Sequence, residues 1–170
     1  MKNKNIKIQN TALNYDLTKD WRKLSFSNPS GTIRIGTSFS GIGAIEHAFK
    51  RLKLNTKIVF AGDIDPNCKK AYFANYKIND DQWHTDVHDF DAKKYKGKID
   101  LFVGGAPCQA FSLRGKHGGF EDTRGTLFRE FARIVMECQP KVFIFENVKG
   151  MLSHDKGRTW KVIKETFEND

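Results

Sequence analysis

No stretch of this chain offers the ~20 consecutive apolar residues that a helix needs to cross a bilayer, which leaves a membrane-spanning role without a basis. The N-terminus, MKNKNIKIQN, is basic but has no apolar core behind it, so it does not read as a signal peptide. Cysteine is scarce. Cys68, Cys108 and Cys138 form no C-x-x-C pair, and an odd count argues against a disulfide framework; a reducing, cytoplasmic setting fits. There is no internal repeat and no low-complexity tract. Acidic residues are the minority charge, 20 against 29 lysines and arginines, for a net charge of +9. That balance suits a polyanionic partner, because Lys and Arg bind phosphates by releasing counterions, and it also suits plain solubility.

What is present is enough for one domain: 170 residues can bury a core. Residues 1–31 read as a polar, lysine-rich extension closed by the breakers Pro29 and Gly31. From Thr32 on, apolar runs and helical periods alternate. TIRIGTSF reads as a strand and GAIEHAFKRLKL as a helix with Ile45, Ala48, Phe49 and Leu52 on one face. TKIVFAGDI is a second strand, followed by a helix opened by Pro66. A short third strand is expected near Thr85–Val87. KIDLFVGGA is a fourth, nearly all apolar, as a strand covered on both faces should be. TLFREFARIVMECQP is a helix stopped by Pro140, KVFIFENV a fifth strand, and GRTWKVIKETFEND a last helix. The fold class is therefore α/β, a doubly wound and mostly parallel sheet. Ligands of such sheets bind at the carboxyl ends of the strands, near the switch in strand order.

The strand ends carry the chemistry. The first ends in FSGIG, where Ser40, Gly41 and Gly43 let the backbone turn sharply and approach a ligand. The second ends in GDID, placing Asp63 where nucleotide folds keep a ribose acceptor. Position 46 is Glu rather than the third glycine of a dinucleotide fingerprint, and no Lys-Ser/Thr marks a phosphate loop. A nucleoside without a pyrophosphate fits better, and S-adenosylmethionine meets that description. Asp86 suits either an adenine amino group or a loop cap. Cys108 leaves the fourth strand through Gly104, Gly105 and Pro107 at the ligand edge, and its thiolate fraction would be strongly nucleophilic. Glu146 emerges from KVFIF, so its carboxyl is expected to be partly desolvated; a protonated or proton-sharing Glu146 can hold a ring nitrogen and an amino group of a base. Cys68 and Cys138 read as structural, and no residue is put forward as a metal ligand.

FSGIG, GDID, PCQAFS, GFEDTRGTLF and ENV, in this order, resemble the DNA (cytosine-5) methyltransferases of bacterial restriction–modification systems. The resemblance spans roughly residues 33 to 168 and implies the methyltransferase version of the Rossmann-like fold. It implies that Cys108 attacks C6 of a flipped cytosine while Glu146 holds N3 and the exocyclic amine. C5 then takes the methyl of S-adenosylmethionine, leaving S-adenosylhomocysteine. Phe39 would pack on adenine, and the backbone of Ser40, Gly41, Ile42 and Gly43 would lie near the methionine part. Asp63 would take the ribose hydroxyls, Ile64 the adenine face and Asp86 its amino group, with Pro107 and Leu127 lining the pocket. Ser112, Arg114, Lys116, Arg124 and Asn147 would meet double-stranded DNA, the first three from a mobile loop with hinges at Gly115, Gly118 and Gly119.

Two departures bear on cofactor affinity: Thr37 stands where the family often has Asp, and Ala44 where a third glycine is common. The family's later motifs and its target-recognition region have no counterpart before Asp170. Residues 32–170 are thus expected to be a partial cofactor-binding and catalytic domain, incomplete at its C-terminal end and inactive alone, with a complementary C-terminal segment or chain as partner. The same chemistry in a tRNA cytosine-C5 methyltransferase, and a non-catalytic nucleic-acid-binding module on the same fold, are the alternatives.

Overall fold

The computed structural model describes residue 28 and residues 30–107 and 123–169; most of the expected N-terminal extension lies outside that range. Among the described residues five strands form one parallel sheet: β1 (Ile33–Ser38), β2 (Thr56–Gly62), β3 (Trp83–His84), β4 (Leu101–Gly104) and β5 (Val142–Phe145). The helices are α1 (Ala44–Arg51), α2 (Pro66–Asn75), α3 (Thr123–Cys138) and α4 (Arg158–Asn169). Strand order is β3-β2-β1-β4-β5, so the chain runs outward from β1 and then returns to its other side. The reversal falls between β1 and β4, where open α/β sheets form their ligand crevice.

Side chains alternate across a strand, and β2 shows what each face holds. Phe60 packs with Phe102 and with Phe131 and Ile134 of α3, while its neighbour Ala61 packs with Tyr72 of α2 and Trp83. Phe60 is fully buried, with the rings of His84, Phe90, Tyr95 and Phe102 4.8–5.9 Å from its own. Gly36 makes room for it, since a Cβ there would sit 2.5 Å from the Phe60 ring. At the opposite end of the sheet Asp100 clasps three strands. It accepts from Arg34 Nε and Nη2 and the Arg34 backbone N–H, each at 2.9 Å, and pairs with Lys141 at 2.8 Å. The Arg34 hydrogen bond in particular holds the Asp100 carboxyl far below its ordinary range.

Two expectations are corrected. The third strand is Trp83–His84, not Thr85–Val87, because the ladder with Ala61 and Gly62 ends there and residues 85–88 form the rim beyond it. Ala48 of α1 and Leu52 just past its end are exposed, and the buried residue of the helix is Glu46, anchored by polar partners that periodicity does not register. Pro66 opens α2 as expected, with the Asp65 side chain accepting from the Asn67 N–H at 2.7 Å. Among the described residues no helix is long and apolar enough to cross a membrane.

Candidate active site

The strand ends surround a cleft of about 290 Å³. β1 delivers Phe39 to it, β2 delivers Asp63 and Ile64, the segment after β3 delivers Asp86, the exit of β4 delivers Pro107, and α3 closes it with Leu127. These are six of the residues singled out from the sequence, drawn from four strands and one helix. Phe39 reaches its place with φ of 57°, a left-handed conformation that costs a bulky residue roughly 1–2 kcal/mol. Strain of this kind persists only where the surroundings impose it.

The loop Ser40–Gly43 stands behind the cleft rather than on its wall. Ser40 is locked to β2, donating its N–H to the Gly62 carbonyl at 2.9 Å and accepting the Gly62 N–H on Oγ at 3.0 Å. Gly41 donates to Asp63 Oδ2 at 2.9 Å, and Asp65 donates to Asp63 Oδ1 at 3.0 Å. Asp63 therefore joins the turns after β1 and β2 while each oxygen keeps a lone pair. Gly43, with φ of 90°, has no space for a Cβ, which would fall 2.2 Å from the Tyr76 ring. Ile42 is solvent-exposed and Ile64 lines the cleft from an exposed position. Asp86 Oδ1 accepts both the N–H and the ring nitrogen of His88, at 2.9 and 2.7 Å. Those two contacts hold its carboxyl below the usual range and leave Oδ2 without a partner among the described residues.

Glu146 follows β5, and its backbone N–H continues the ladder to the Gly104 carbonyl at 3.0 Å. Its carboxyl lies over Gly105, where a Cβ would be 2.7 Å from Oε2. Gly105 lines the cleft, whereas Glu146 lies against Gly105 and is not itself on the cleft wall. The expectation of a partly desolvated carboxyl is corrected: β5 is the outer strand of the described sheet, and Glu146 is exposed. Asn147 bridges the strand exits, its Nδ2 donating to the Ala106 carbonyl at 3.4 Å.

Cys108, Ser112, Arg114 and Lys116 lie outside the described residues, as does the side chain of Arg124. The residue preceding Cys108 in sequence, Pro107, is on the cleft wall. Cys138 is buried, donates to the Ile134 carbonyl at 2.9 Å, and has its thiol pushed up to about 11 by burial, which fits a structural thiol.

Sequence reasoning missed His84. It is buried against Phe90, contacts Ser38 Oγ through Nε2 at 3.1 Å, and lines the cleft. Burial pulls its ring down to about 4, so it is neutral near pH 7. The available signal was Gly62 on the neighbouring strand, where a Cβ would meet the His84 ring at 2.3 Å.

The described lining of the cleft holds two carboxylates and no lysine or arginine. Such a wall suits the hydroxyl and amino donors of a nucleoside and disfavours a pyrophosphate.

A family model described as C-5 cytosine-specific DNA methylase matches residues 33–170. The chain is 44% identical over 137 residues to the orphan methyltransferase M.SPRI of Bacillus phage SPR, a match covering 81% of this chain and 31% of that protein. It is 48% identical over 130 residues to the type II methyltransferase M1.ScrFI of Lactococcus lactis subsp. cremoris, covering 76% of this chain and 32% of the relative. Among solved structures, the Entamoeba histolytica methyltransferase EhMeth shares the fold, with a TM-score of 0.64 at 20% identity over 80% of this chain and 43% of that one. The chain spans about a third of the length of the curated relatives it matches.

Proposed function

The chain belongs to the C-5 cytosine-specific DNA methylase family, and from that premise we propose that it is the S-adenosylmethionine-binding and catalytic part of an enzyme that methylates C5 of cytosine in DNA. One observation carries the reading: Phe39, Asp63, Ile64, Asp86, Pro107 and Leu127 line a single cleft with no lysine or arginine among its described walls. The same reading takes residues 32–170 as one unit, which the family match over 33–170 supports.

Bound S-adenosylmethionine supplies an electrophilic methyl group on a sulfonium. Phe39, Ile64 and Leu127 offer apolar surface to the adenine, and Asp86 Oδ2 is available to its amino group. Asp63 keeps lone pairs for the ribose hydroxyls while its two backbone contacts hold it in place. The Ser40–Gly43 backbone, behind the described wall, is the segment that the methionine part would face.

On the substrate side, the Cys108 thiolate adds to C6 of a cytosine that has left the stack, and the electron pair moves to C5. Glu146 holds N3 and the exocyclic amine, steadying the ring as charge builds on it. That pair would be taken up by a new bond from C5 to the methyl as the methyl's bond to the sulfonium breaks; loss of the C5 proton to a base then expels the Cys108 thiolate and restores the double bond. Exposure of Glu146 suits this role, because a base must be able to reach it.

Titration calorimetry tests the cofactor half of the proposal. The chain should bind S-adenosylmethionine saturably, and Asp63→Ala should weaken binding at least about tenfold, the worth of one charged hydrogen bond. No binding by the unsubstituted chain would overturn it. The catalytic half is tested in the complete enzyme, where Cys108→Ser should abolish methyl transfer to DNA.

A further inference from the structure

Glu46 is the buried acid for which the proposed reaction has no use. It lies on the first turn of α1, only 4% exposed. Oε1 accepts from the Thr37 hydroxyl at 2.9 Å and from the Tyr72 phenol at 2.8 Å, the donor arrangement that a carboxylate anion asks for. Oε2 is buried without a hydrogen-bond partner, and no cation pairs with Glu46 among the described residues. An uncompensated carboxylate in a protein interior costs several kcal/mol, so its retention calls for a cation that arrives from elsewhere.

The hydrogen bonds show where that charge acts. The Thr37 hydroxyl that donates to Glu46 is 2.8 Å from Ser40 Oγ, which in turn accepts the N–H of Gly62 on the cleft wall. Glu46 thus stands one short polar chain behind the Ser40–Gly43 loop. The side chain is too enclosed to touch a ligand.

We propose that Glu46 is a positioning residue that selects the charged methyl donor over its neutral product: its carboxylate, relayed through Thr37 and Ser40, favours the sulfonium of S-adenosylmethionine and gives no such help to S-adenosylhomocysteine. The proposal rests on the S-adenosylmethionine reading of the cleft. At an effective dielectric near 20, a unit charge relayed from behind the wall would alter binding on the order of tenfold.

The test is the ratio of two affinities, measured by calorimetry for this chain. Glu46→Gln keeps an oxygen for both hydroxyls and removes the charge, so it should weaken S-adenosylmethionine about tenfold and S-adenosylhomocysteine less than about twofold. Tyr72→Phe deletes a hydrogen bond to the same oxygen but leaves the charge, and should leave the ratio unchanged. Equal weakening of both ligands by Glu46→Gln, or an equal shift of the ratio in Tyr72→Phe, would reduce Glu46 to a structural role and overturn the inference. If Glu46→Gln does not hold its fold, Glu46→Asp decides: the ratio should survive even where both affinities fall, and its loss overturns the inference. Failure of the unsubstituted chain to bind S-adenosylmethionine sinks the underlying reading itself, an outcome distinct from binding with an unshifted ratio.

Discussion

On the β1–β3 side of the cleft the carboxylates are already held: Asp63 by the Gly41 and Asp65 N–H groups, Asp86 by His88, and Glu46 behind them by two hydroxyls. On the β4–β5 side Glu146 is exposed and makes no side-chain hydrogen bond among the described residues, although its backbone is fixed to Gly104. The contrast extends into the sheet. Phe60 and Ile35 on the first side are 0% exposed, while Val142 and Ile144 on β5 are 56% and 51% exposed. A small-molecule pocket gains from groups frozen before the ligand arrives. A carboxyl that must meet a base swung out of DNA gains from being reachable. The two sides fit those two tasks.

The contrast is broken most severely in the core of the first side. Phe60→Ala removes a ring that touches four others and should cost about 3–5 kcal/mol in urea unfolding, abolishing S-adenosylmethionine binding with the fold. A loss below about 1 kcal/mol would mean that this side is less finished than its burial indicates. Acid should also act on this side first. The His84 ring titrates at about 4 in the folded chain, chiefly because burial opposes its charge, against about 6.5 when unfolded. Between those values the unfolded state binds the extra proton, so stability present above pH ~6.5 is lost as pH falls towards ~4 and levels off below. The loss is on the order of 3 kcal/mol. His84→Phe should reduce the proton uptake on unfolding in that window by about one, as read from urea midpoints against pH.

His84 and Glu46 also show where the sequence stops being legible. The alternation of strands and helices, the order of the strand ends and the acids Asp63 and Asp86 could be read from local pattern, since each depends on neighbours in sequence or on a strand terminus, whereas Phe39, Ile64, Pro107 and Leu127 entered as cleft residues only through the family resemblance. Trp83–His84 is too short a strand to carry a period, so its position depends on the ladder to Ala61 and Gly62. Glu46 falls outside the apolar face that the helical period marks, because its reason to be buried, the Tyr72 hydroxyl, lies in another helix. The exposure of Glu146 was misjudged for a related reason. Its apolar approach, KVFIF, resembles a covered strand, and only the sheet order shows β5 on the outside.

A smaller change sharpens the contrast at the catalytic rim. In Gly105→Ala the new methyl would meet Glu146 Oε2 at 2.7 Å. The carboxyl is the free end of an exposed side chain, so it should swing away, with less than about 1 kcal/mol lost in stability. If Glu146 holds the base as proposed, the complete enzyme should lose at least about tenfold in kcat while S-adenosylmethionine affinity stays within about twofold. Loss of cofactor affinity instead would place the Glu146 carboxyl on the cofactor side of the cleft.

The smallest effect is expected on the outer face of β5. Ile144→Lys replaces an exposed apolar side chain and should change the unfolding free energy by less than about 0.5 kcal/mol, because half of that side chain is already in solvent and a lysine stem can cover the same surface. Its consequence should be seen in association. An outer strand presents unpaired N–H and C=O groups, and an apolar surface beside them invites pairing between copies, which a lysine opposes. Sedimentation at rising concentration should show less self-association for Ile144→Lys than for the parent at the same urea midpoint. A destabilisation above about 1 kcal/mol would instead mean that Ile144 is covered in solution, and the two sides of the cleft would then be equally finished.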